Sequence, residues 1–165
     1  MTATYDCIAT TTLTTNTASV TFSSISGSYT DLVLIINVGA TALEDIGCQF
    51  NSDTGSNYSS TIVGGDGTNA VSGRISNATV LGLTNNAYMD TTINGAHIVN
   101  FMNYSNTTTY KTVVKRGSNA ARGVEAIVGL WRSTAAISTI YLYGRNSGYL
   151  FLSGSTFTLY GIKAE

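Results

Sequence analysis

Ser153-Gly154-Ser155-Thr156-Phe157-Thr158-Leu159-Tyr160-Gly161-Ile162-Lys163-Ala164 is the stretch whose reading decides the fold. Phe157 and Leu159 alternate with Thr156, Thr158 and Tyr160, the period-two pattern of a half-buried strand built from aromatic and β-branched residues. A strand this close to the end of the sequence predicts a C-terminus tied into a sheet. Working outward, similar segments recur at spacings of about 10 to 15 residues, the rhythm of a sandwich or barrel. They are Tyr5–Thr11, Ala18–Ile25, Leu32–Val38, Ile46–Asn51, Tyr58–Val63, Val80–Leu83, Ala96–Tyr104, Lys111–Lys115, Ala126–Arg132, Ile137–Tyr143 and Tyr149–Leu152. Leu32–Val38 is a continuous apolar run, which predicts a central strand buried on both faces. Between the segments lie turn-forming clusters: Ser26–Ser28, Ser52–Asn57, Gly64–Asn69, Asn106–Thr109 and Gly117–Gly123. One helical turn fits around Thr41–Asp45, and no segment has the period of a longer amphipathic helix. The reading is all-β: a single antiparallel β-sandwich, jelly-roll-like, of about eight to eleven strands, with residues 1–165 as one domain.

Composition supports a folded chain. Thr, Ser, Asn and Gly together make up 75 of the 165 residues and charged residues only 10%, yet hydrophobic residues reach 43% with ten Tyr and five Phe. Disordered chains lack those aromatic and β-branched residues. A chain of this length buries ~70% of its unfolded surface. There is no proline, so turns fall to Gly, Asn, Asp and Ser. The net charge of −1 argues against a general nucleic-acid-binding domain. Charge is unevenly distributed: residues 1–100 hold seven acids and only Arg74 as a base, while 101–165 hold seven bases and two acids. Two readings are open, interleaving of the halves in one sandwich or complementary patches that meet in an oligomer. The start, Met1-Thr2-Ala3-Thr4-Tyr5-Asp6, lacks the regions of a signal peptide, and the longest apolar run, Leu32–Ile36, is too short to cross a membrane. The expectation is a protein made in a cytoplasm with reduced thiols, Cys7 and Cys48 being small core residues.

No catalytic constellation stands out. The one histidine, His97, shares strand parity with Val99 and Phe101 and reads as a satisfied or rim-exposed strand residue. One histidine and two distant cysteines make no zinc site. No Gly-x-Ser-x-Gly element is present. The aspartates Asp31, Asp45, Asp53, Asp66 and Asp90 sit mostly in turns, with no spacing that predicts a glycosidase pair or a calcium loop. Gly64-Gly65-Asp66-Gly67 lacks the Lys-Ser/Thr of a phosphate loop. The sequence therefore gives no catalytic, cofactor or metal residue, and the expectation is not an enzyme. Trp131 with Tyr58, Tyr88, Tyr104, Tyr110, Tyr141, Tyr143 and Tyr149 divides between core packing and exposed stacking or anchoring roles.

Four stretches taken in order carry a resemblance: Phe50–Ser59, Asn103–Thr112, Gly129–Ile137 and the closing strand. Together they resemble a small β-sandwich virion structural module of marine cyanobacterial tailed phages, encoded among head and tail genes. The resemblance implies a capsid decoration (cement) protein that binds the outside of the assembled head and bridges subunits of the major capsid protein. By analogy it would be a homotrimer on the virion surface, with no nucleic-acid or membrane partner. Its alternative is a tail-fibre or receptor-binding module recognising host surface carbohydrate; with no shaft segment in this sequence, the decoration role is the expectation. Under that role the candidate protein interface is the basic set Lys115, Arg116, Arg122, Arg132 and Arg145, meeting an acidic coat surface. The rival patch is Glu44, Asp45, Asp53 and Asp66.

Overall fold

A computed structural model describes residues 4–85, 88–146 and 148–163, so Ala164 of the closing stretch lies outside the described residues. The strands are β1 (Tyr5–Thr12), β2 (Ser19–Phe22), β3 (Asp31–Val38), β4 (Ile46–Phe50), β5 (Tyr58–Gly65), β6 (Ala70–Ala78), β7 (Leu81–Gly82), β8 (Gly95–Met102), β9 (Lys111–Asn119), β10 (Gly123–Trp131), β11 (Ile140–Gly144) and β12 (Thr156–Ile162). They form two antiparallel sheets, one of eight strands in the order β1-β12-β3-β8-β9-β10-β5-β6 and one of four in the order β2-β11-β4-β7. The chain passes repeatedly between the two sheets of the sandwich. No helix occurs among the described residues; around Thr41–Asp45 the backbone instead bridges at Ala40 to Phe151 and at Glu44 to Met89.

The closing strand lies inside the large sheet, next to its edge strand β1. Phe157 and Leu159 are fully buried, and β12 is paired on one side with β1 and on the other with β3. Several expectations give way to the structure: Cys7, expected in the core, is exposed on β1, and Gly117–Asn119, expected in a loop, extend β9. β6 was not expected, because Val71 and Ile75 are separated by Gly73 and flanked by Ser72 and Arg74; as an edge strand beyond the small sheet it has little apolar surface to bury. Tyr149–Leu152 forms no strand, only the bridges of Phe151 to Thr17 and Ala40. β3 is also more open than a continuous apolar run implies. Leu32, Leu34, Ile36 and Val38 face the core, while on the other side Val33 is covered and Ile35 is 44% exposed.

The core is anchored by an aromatic cluster. The Phe50 ring lies 5.4 Å from Trp131, 5.7 Å edge-on from Phe101 and 6.0 Å from Tyr58. The polar edges of these rings are satisfied by one loop. Trp131 Nε1 donates to Asp53 Oδ2 at 2.7 Å, and Tyr58 Oη donates to the Asp53 carbonyl while accepting from Phe50 N. Replacing Trp131 removes both a large apolar volume and the donor to Asp53. Trp131→Ala is expected to lower the unfolding free energy by about 3–5 kcal/mol, read from urea denaturation; a loss below about 1 kcal/mol would contradict this packing.

Candidate protein interface

The inner face of the large sheet changes character along its strands. One row across it reads Leu32, Phe101, Val113, Gly129 and Ser60, and the next reads Leu34, Val99, Lys115, Ile127 and Ile62. A third row reads Ile36, His97, Gly117, Glu125 and Gly64. Apolar core thus gives way to a buried polar group toward the β9–β10 turn. Lys115 and Glu125 form an ion pair with both side chains wholly inaccessible. The other Glu125 oxygen accepts Asn85 N at 2.8 Å, so the carboxylate serves the backbone of the segment lying over this end of the sheet. Burial lowers the Lys115 pKa, and the Glu125 charge works against that fall.

His97 is neither satisfied nor at the rim. It is 1% exposed and neither ring nitrogen has a hydrogen-bond partner among the described residues. Its ring occupies the space above Gly117, where an added Cβ would lie 2.2 Å from Nδ1 and 2.6 Å from Lys115 Nζ. Burial, and then the Lys115 charge, push the imidazole pKa down to about 3, so the ring is neutral. Asp45 lies beside this group, accepting from Thr84 Oγ1 at 3.0 Å and facing Arg145 at 3.7 Å. Burial raises its pKa to about 6 against those two partners.

The remaining charges are also engaged internally. Asp90 pairs with Arg122, Asp6 with Lys163, and Asp31 accepts Asn103 N. Asp53 accepts Trp131, Asn57 and Gly55 N, and Asp66 caps Thr68 N and Asn69 N. Glu44 accepts Asp45 N. Lys111 donates to the carbonyls of Thr109 and Thr134, and Arg132 to Ser59, Asn77 and the Ser56 carbonyl. Every described acid and six of the eight Lys and Arg residues therefore have a partner within the chain. Arg116 and Arg74 have none among the described residues.

Both lie on the outward face of the large sheet. One row there reads Thr158, Ile35, Ile98, Arg116, Ala126, Val63 and Ser72. Its neighbour reads Tyr160, Val33, Asn100, Val114, Val128, Thr61 and Arg74. Val63, Val124 and Val128 are 60%, 61% and 53% exposed, with Ile35, Met102 and Val114 each above 40%. A concavity of about 570 Å³ opens on this face around Arg116, between Val63, Ile98, Val124 and Ala126.

The five basic residues singled out from the sequence do not form one patch. Lys115 and Arg116 are neighbours on β9 and point to opposite faces, one into the core and one outward. Arg122 lies in the β9–β10 turn, Arg132 follows the far end of β10, and Arg145 follows β11 of the small sheet. Of the rival patch, Asp45 and Glu44 are adjacent at the polar end of the core, whereas Asp53 and Asp66 belong to separate loops. The sequence reading passed over the exposed valines; Val114, two residues before Arg116 on β9 and so on the same face, was the available signal. No group of three or more His, Cys, Asp or Glu arranged to hold a metal occurs among the described residues. Comparison with protein-family models, with curated proteins and with solved structures finds no match to the chain.

Two predictions follow from the buried group. Lys115→Ala leaves Glu125 buried without its cation and is expected to cost about 3–5 kcal/mol; a urea midpoint unchanged from wild type would contradict the pair. For pH, the raised Asp45 pKa means that the folded chain binds the proton more tightly, so this group's contribution to stability falls as pH rises from about 4 to about 6. The lowered His97 pKa acts oppositely: its contribution is lost as pH falls from 6.5 toward about 3. Asp45→Asn removes the first effect, so its urea midpoint should fall more steeply than wild type on acidification from pH 6 to 4; parallel profiles would contradict the assignment.

Proposed function

We propose that the chain is a non-catalytic docking module that attaches to an assembled protein surface through the outward face of its eight-stranded sheet. The observation that carries this reading is that Arg116 and Arg74, which have no partner among the described residues, share one face with the most exposed branched side chains. Eight strands at a spacing of about 4.8 Å give a face about 34 Å wide. Strands of this length make that face comparable to the ~800 Å² that each partner contributes to a standard protein interface. The partner it suits is flat, largely apolar and equipped with a carboxylate for Arg116, which supplies orientation and selectivity. Arg116 and Arg74 alone give this face too few cations to track a nucleic-acid backbone, where affinity grows with each phosphate neutralised.

The resemblance to phage virion modules supplies the identity of that surface in this proposal: the major capsid protein on the outside of an assembled head. Repeated copies bridging adjacent coat subunits would add avidity to a contact that is modest in each copy. Binding of the recombinant chain to undecorated heads tests it. The wild type is expected to bind over the whole head, and Arg116→Glu to weaken binding by about tenfold or more. Labelling restricted to the tail, or an Arg116→Glu variant that binds as tightly as wild type, would overturn the reading.

A further inference from the structure

The small sheet presents a different surface from the one assigned to docking. Across its outer side Thr21, Tyr141 and Gln49 stand in one row, being register partners on β2, β11 and β4. Tyr141 is braced from along its own strand by Tyr143, with ring centroids 5.1 Å apart and planes at 27°. Beside the row, the turn after β4 brings Ser52 and Thr54 alongside, and Thr139 leads into β11. Asn51 and Ser52 hold the turn with φ values of 51° and 60°, and Asn51 fixes it to β11 by accepting Ser138 N and Thr139 N. These six side chains line a shallow depression of about 340 Å³.

Two properties of this lining select a ligand class. It contains no charged side chain. The hydroxyls of Thr21, Ser52, Thr54, Thr139 and Tyr141 have no hydrogen-bond partner among the described residues, and Gln49 uses its amide nitrogen on the Thr79 carbonyl while its oxygen is free. A ring flanked by uncommitted donors and acceptors matches a molecule with an apolar face and a rim of hydroxyls. We propose that this depression is a binding subsite for a neutral saccharide, one pyranose ring lying against Tyr141 with its hydroxyls exchanged among Gln49, Thr139 and the Ser52–Thr54 turn. An anionic sugar would find no cation here. The subsite lies on the sheet opposite the docking face, so neither inference depends on the other, and a chain attached by its large sheet would present the saccharide subsite outward.

The test uses maltohexaose, cellohexaose and laminarihexaose as neutral probes and heparin as the anionic comparison, with binding followed by amide chemical-shift changes and calorimetry on the full chain. At least one neutral hexaose is expected to bind, with shifts confined to the depression. Tyr141→Ala should weaken that binding about tenfold, while Tyr141→Phe, which keeps the ring, stays close to wild type. Gln49→Ala and Thr139→Ala, which leave the tyrosine pair untouched, should each weaken it severalfold and serve as the decisive variants if Tyr141→Ala does not fold. Absence of binding by all three neutral probes, binding of heparin alone, or affinity unchanged in Gln49→Ala and Thr139→Ala would overturn the proposal.

Discussion

Four strands lie over eight, and the mismatch in sheet width governs the rest of the molecule. A sheet is stable when one face is covered, but the smaller sheet covers only part of the larger. Where Phe50 of β4 meets Phe101 of β8, Trp131 of β10 and Tyr58 of β5, the interior is dry and aromatic. Toward the β9–β10 turn the cover changes from strand to irregular segment, and irregular backbone brings donors that a sheet would have satisfied itself. Glu125 meets one of these at Asn85 N, and Lys115 neutralises the carboxylate so placed. The buried ion pair is thus a consequence of covering a wide sheet with a loop. Such a pair contributes little net stability relative to apolar packing, but removing one member leaves a charge stranded.

The same economy runs through the whole charge distribution. With charged residues at 10% of the chain, almost every one has a structural partner. The uneven split of acids and bases along the sequence resolves in space, since Asp90 with Arg122, Asp45 with Arg145 and Asp6 with Lys163 all join the acidic first part to the basic second. Among the described residues only Arg116 and Arg74 are left over, on a face whose other side chains are mainly aliphatic or hydroxylated. A surface of this kind loses little on desolvation, since few ions must be stripped of water when it is covered. The hydroxyl-rich outer side of the small sheet is its complement, polar without charge.

Much of the fold was legible in the sequence because period-two alternation is a strong signal when one parity is clearly apolar. Thr156–Ile162 shows this, and so does Gly95–Met102 with His97, Val99 and Phe101 inward. The site was less legible because β9 offers apolar residues at both parities. Val113 faces inward with Lys111 and Lys115, and Val114 faces outward with Arg116, so a rule that sends charges to solvent misplaces the lysines. A weaker signal existed: Glu125 shares parity with Ile127 and Trp131 on the next strand, which marks an opposite charge at an inward position. Arg122, Arg132 and Arg145 gave no local cue at all, because their partners Asp90, Ser59 and Asp45 are remote in sequence and are brought close only by the folded topology.

The central proposal is that the sandwich has two faces with different tasks, the large sheet turned toward a capsid assembly and the small sheet turned away. The orientation of the chain in a density map of an intact head tests this most directly. The account predicts that β8, β9 and β10 lie against the coat with Arg116 at the contact, and that Tyr141 faces solvent. A map in which the small sheet or the strand edges make the contact, with Arg116 open to solvent, would contradict it.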